Sequence, residues 1–127
     1  MDVTGLDMFQ ISKLMVVCLA EHFAGHTVIS DSKGIFQEVI LLAYEEIEHL
    51  LIQPVGVRLF NNDEWFFGAS GFVEIYNNAD KSKETYTVML VMNTDHDRLF
   101  YLYASKRDAA GSEVSILVKD FTQNSVA

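Results

Sequence analysis

Residues 34–52 read GIFQEVILLAYEEIEHLLI, and the fold turns on how this stretch is read. At helical spacing, Phe36, Val39, Ile40, Ala43, Ile47, Leu50 and Leu51 share one side, and Gln37, Glu38, Glu45, Glu48 and His49 the other. The pattern predicts an amphipathic helix capped by Asp31 or Ser32 and continuing to about Ile52. Pro54 has no N–H and disfavours helical geometry in Gln53, so the helix has to stop there.

Upstream, a first helix is predicted from about Gly5 to Ala24, with Thr4 and Asp7 in capping-box spacing. Met8, Ile11, Met15, Cys18, Leu19 and Phe23 form its broad apolar face, and Gly25 suits the left-handed residue that ends it. His26–Ile29 reads as a short extended connection. Downstream of Pro54 the period shortens to two and turn residues multiply. Val55–Phe60, Trp65–Ile75, Thr85–Met92, Leu99–Tyr103 and Val114–Phe121 read as strands, with Gly68 and Gly71 marking a bulge, a bend or a break within the second. Helices first and strands after predict an α+β domain, with two N-terminal helices packed on one face of a four- to six-stranded antiparallel meander sheet. The chain, residues 1–127, reads as a single domain with a frayed tail from about residue 122.

Nine basic and eighteen acidic side chains give a formal net charge of −9. Such a field repels nucleic-acid backbone and anionic membrane and attracts a protein with a basic surface, so neither direct nucleic-acid binding nor membrane association is expected. Ten acids and three bases lie in residues 1–64, net −7, against eight and six in residues 65–127, net −2. The single Cys18 allows no intrachain disulfide. Residues 14–20, LMVVCLA, are too short to span a bilayer and follow a net-acidic segment, unlike a secretory signal. These features predict a cytoplasmic protein.

No catalytic template is complete. Glu46 and His49 have the Glu-x-x-His spacing of a metal helix, but a di-iron site needs two such motifs and two further glutamates on facing helices. His22 and His26 are a helical turn apart, yet the glutamate of His-Glu-x-x-His is replaced by Phe23, and Gly25 breaks the helix between them. Cys18 and His22 lie on or near an apolar face, where a thiol is inert. Residues 68–71, Gly-Ala-Ser-Gly, lack the last glycine and the following helix of a nucleophile elbow. Asp95, His96 and Asp97 are ordinary hairpin-loop residues. No catalytic residue, metal ligand or cofactor is assigned.

What remains is an excess of aromatics on the strands. Leu99, Tyr101 and Tyr103 share one parity and Phe100, Leu102 and Ala104 the other, so both faces of that strand are apolar. The sequence therefore favours a non-catalytic acidic protein-binding module, such as an inhibitor, an immunity or anti-defence protein, or a chaperone-like protein. An acidic ridge of Glu38, Glu45, Glu48 and His49 would steer a basic partner, and Trp65, Tyr86, Tyr101 and Tyr103 would anchor it. The alternative is a small-molecule-binding or enzymatic domain whose curled sheet forms a cone, with Arg58, Glu74, Tyr86 and Tyr101 facing the cavity. A homodimer closed through the sheet aromatics is a third arrangement.

Overall fold

The computed structural model describes residues 1–31, 33–43, 65–93 and 98–121. One helix, α1 (Met8–His22), precedes β1 (His26–Ile29), β2 (Phe36–Ala43), β3 (Trp65–Asn77), β4 (Lys83–Met92), β5 (Leu99–Arg107) and β6 (Glu113–Asp120). All strand pairs are antiparallel. β3, β4, β5 and β6 form a meander, and β1 and β2 share the remaining edge of β3. β1 pairs with the end of β3 (His26 opposite Asn77) and β2 with its start (Ala43 opposite Trp65). They amount to one edge strand interrupted by a loop over residues 30–35.

The α+β class stands, but the second N-terminal helix does not. Over Phe36–Ala43 the chain is a strand, and residues 44–52 of the expected helix, like the expected strand Val55–Phe60, lie outside the described residues. The reason is local. Val39-Ile40-Leu41-Leu42-Ala43 is apolar at every position, so it satisfies a period of two as well as one of 3.6, and its β-branched Val39 and Ile40 favour the extended form. Asp31 does act as a cap, but of a turn. Its Oδ1 accepts from the Lys33 amide at 2.9 Å and its Oδ2 from Gln37 Nε2 at 2.7 Å. Gly34 then takes a φ of +95°, which closes the helical route.

α1 starts later than expected. Asp7 is its N-cap and forms a capping box with Gln10, each side chain accepting from the other's backbone N–H. Gly25, with a φ of +87°, follows the helix as expected. The inner face of α1 buries Ile11, Met15 and Leu19 against Ala69, Val73, Val88, Leu90, Leu102 and Ala104. Burial of each such side chain stabilises the fold by about 1.5–3 kcal/mol. Ile35, in the loop between β1 and β2, joins this core and is fully buried. It reaches the core because Gly71 of β3 has no side chain: a β-carbon there would run into the Ile35 carbonyl. The opposite sheet face holds a second cluster of Leu42, Phe66, Val91, Tyr101 and Tyr103. Both faces of β5 are thus apolar because both are packed.

Cys18 is half-buried on α1, and desolvation, then the neighbouring Glu21, raises its thiol pKa. Alkylation by iodoacetamide is therefore expected to run slower than that of free cysteine across about pH 7 to 9, read by mass spectrometry. Three carboxylates are held below their ordinary range: Asp2 by the Thr4 hydroxyl, Asp80 by Ser82 and Glu84 by the Lys106 ammonium. A lowered folded-state pKa contributes stability above the unfolded value that is lost as pH falls through the folded one. The unfolding midpoint is accordingly expected to drop as pH is taken below about 4.5, by a small amount because all three groups are well solvated. An acid-side midpoint that does not fall would contradict these assignments.

Candidate protein-binding interface

Cross-strand pairing decides which residues share a face. Val39 stands opposite Ala69, Leu41 opposite Phe67 and Ala43 opposite Trp65, so all six project to the side of the sheet that carries α1. Ala69 and Phe67 pack into the core beneath the helix. At the outer corner the helix no longer covers the sheet: Val39 is 51% exposed, Leu41 52% and Trp65 54%. Three large apolar side chains, each more than half in water, lie side by side on one face. Scattered single apolar residues on a surface mean little, but a contiguous group marks an interaction site.

The strand that carries this group has one strand partner among the described residues. Among the described residues β2 pairs with β3 only, and its other side carries no strand. Natural sheets blunt such edges with charge. The edge at the other end of the sheet follows that rule, since β6 carries Glu113, Lys119 and Asp120, and its exposed Val114 and Leu117 point to opposite faces. β2 carries one charge, Glu38, which is exposed and projects to the face opposite Val39 and Leu41. Of the two strands, β2 carries the fewer charges.

Of the residues singled out in the sequence, Trp65 and Glu38 belong to this corner. Tyr86, Tyr101 and Tyr103 are buried, so a partner meeting the surface as it stands meets Trp65. Tyr86 lies against Phe23, with ring centroids 5.2 Å apart, and its hydroxyl donates to Glu84 at 3.1 Å. The Tyr103 hydroxyl is buried without a hydrogen-bond partner among the described residues, and desolvation together with Tyr101 pushes its pKa far up. Glu45, Glu48 and His49, like Glu46 and Arg58, lie outside the described residues. Leu41 carried no sequence signal, because the helical wheel placed it on neither face. Strand parity with Val39 would have found it.

The other motifs separate. His22 ends α1 while His26 begins β1, so they share no helix face. Residues 68–71 lie within β3, away from any strand-to-helix turn. No group of three His, Cys, Asp or Glu among the described residues stands close enough to hold a metal ion. No helix among them is long and apolar enough to cross a membrane. Two surface grooves accompany the β4–β5 region. One of about 520 Å³ is lined by residues including Thr85, Thr87, Ser105 and Arg107, and one of about 250 Å³ by residues including His26, Asp80, Glu84 and Tyr86. Glu74 and Tyr101 line neither, and Glu74 lies 3.6 Å from the Lys83 ammonium. No protein-family model matches the chain, and neither a curated protein nor a solved structure matches it.

Proposed function

We propose that the protein is a non-catalytic acidic binding module that docks on a basic partner protein, in the manner of an inhibitor, an immunity or anti-defence protein, or a chaperone-like protein. The observation that carries this reading is the exposed apolar group of Val39, Leu41 and Trp65 on one face of the sheet. In sequence, the paired residues Ala43 and Trp65 are followed by Glu45, Glu46 and Glu48 and preceded by Asp63 and Glu64. An apolar centre with carboxylates as its sequence neighbours suits a partner that is apolar where it touches and basic around the contact. Steering by Glu38, Glu45 and Glu48 raises the association rate, and desolvation of Trp65 holds the complex.

The test uses a partner captured from native lysate and purified. Its association rate is expected to fall about tenfold or more from low to high salt. It should fall comparably when Glu38, Glu45 and Glu48 are all replaced by Lys. An association rate independent of salt removes the steering mechanism.

A further inference from the structure

We infer that the sheet face opposite α1 carries, at the end away from Trp65, a binding groove for a neutral oligosaccharide. Cross-strand register builds it. Phe72 stands opposite Thr87, Thr87 opposite Ser105 and Ser105 opposite Ser115, so one row of side chains crosses β3, β4, β5 and β6. Their chain neighbours Val73, Val88, Ala104 and Ile116 pack into the core beneath α1. Successive side chains of a strand point to opposite faces, so the row projects away from the helix. Arg107 and Glu113 pair in the next row of the same face. Thr85, Thr87, Ser105, Arg107 and Glu113 line the larger groove, whose volume of about 520 Å³ lies in the range that receives small ligands.

The lining is rich in hydroxyls and balanced in charge. The Thr85, Thr87 and Ser105 hydroxyls make no hydrogen bond among the described residues, and Arg107 spends one N–H on the Gly111 carbonyl at 3.4 Å. At the rim Lys106 and Glu84 neutralise each other at 2.7 Å, and Glu113 offsets Arg107. A groove of zero net charge on a chain of net −9 is not built for charge. An anion would meet Glu84 and Glu113 there, and a cation Lys106 and Arg107. A ligand made of hydroxyls, each both donor and acceptor, satisfies threonine, serine, arginine and glutamate together. Phe72, 56% exposed, opens the row on the β3 side and offers the apolar plane on which the C–H face of a pyranose ring packs. The strands lie about 4.8 Å apart, close to the length of one glycosyl unit, so successive sugars meet successive strands.

The probes are cellohexaose, chitohexaose and maltohexaose, added to the isotope-labelled full chain and followed by NMR. At least one is expected to shift the amide signals of Phe72, Thr87, Ser105 and Arg107 saturably. Thr87→Val/Ser105→Ala removes two hydroxyls and is expected to weaken that binding about tenfold. Phe72→Ala, at an exposed position that leaves the core intact, is expected to weaken it by a similar factor. Inorganic phosphate and ethylenediammonium at the same concentrations should leave these signals in place. Failure of all three saccharides to shift them overturns the inference. So does binding that both variants retain, or tighter binding of either ion. The groove is separate from the Val39, Leu41 and Trp65 group, so Val39→Lys/Leu41→Lys is expected to leave saccharide binding unchanged while it weakens the partner protein. Either reading can thus fail without the other.

Discussion

Replacing Gly71 by alanine is expected to lower stability by about 3 kcal/mol, enough to move the thermal midpoint down by roughly 10 °C in a chain of this size. The added methyl group would occupy the space of the Ile35 carbonyl oxygen, and the nearest further atoms, the Ile35 carbonyl carbon and Phe36 Cα, are also backbone. Backbone cannot rotate out of the way as a side chain can. Relief requires moving the β1–β2 loop outward, which pulls the fully buried Ile35 from the core and loosens the pairing of Phe36 with Gly71. Gly68→Ala is the control. Its methyl meets Leu42 Cδ1 at 2.7 Å and Met89 Sδ at 2.9 Å, the far ends of side chains, so a cost of about 1 kcal/mol is expected. Calorimetry on both variants reads the difference. Equal midpoints would mean that the Ile35 backbone does not lie against Gly71 as the structure has it.

The double substitution Val39→Lys/Leu41→Lys is expected to weaken binding of the partner protein about a hundredfold, a loss of about 2.7 kcal/mol, while moving the unfolding midpoint little. Both side chains are more than half exposed, so neither contributes much to the core. Lysines at these positions put charge into the exposed apolar group. They also face a basic partner with like charge. Surface plasmon resonance for affinity and calorimetry for stability separate the two effects. A variant that unfolds would show the corner to be core, and one that binds normally would move the interface elsewhere.

Much of the architecture could be read from the residues. The buried face of α1, with Ile11, Met15 and Leu19, the Gly25 stop and the meander from Trp65 onward all follow from periodicity and turn chemistry. The misreading of β2 has a definite cause. Val39–Ala43 is apolar on every side, and such a run carries no period of its own; the Glu45–Glu48 sequence after it lent it a helical one. What settles the strand is remote in sequence. Gly71 makes room for Ile35, and Phe66, Val91 and Tyr101 build a second core that receives Leu42. The two-sided apolarity of β5 leaves a partner, a ligand cavity or a curled sheet open for its second face, and the structure packs that face as a second core to which β2 contributes Leu42. At the candidate site Trp65 stood out by type. Val39 was assigned to a buried helical face because exposure at the end of a sheet depends on where α1 stops covering it.

The shared edge of β3 also has a consequence for how the chain is made. β1 and β2 are synthesised before any of their partner strand, and the β3 residues that pair with Val39–Ala43 are complete at Ala69, 26 residues after Ala43. At about 5–20 residues per second, the nascent chain carries Val39–Ala43 without its β3 partner for roughly 1–5 s. During that interval the run is a short, uncharged, aggregation-prone segment whose β3 partner is not yet made. Expression at lower temperature, or with a holdase that covers apolar extended segments, should therefore raise the soluble yield.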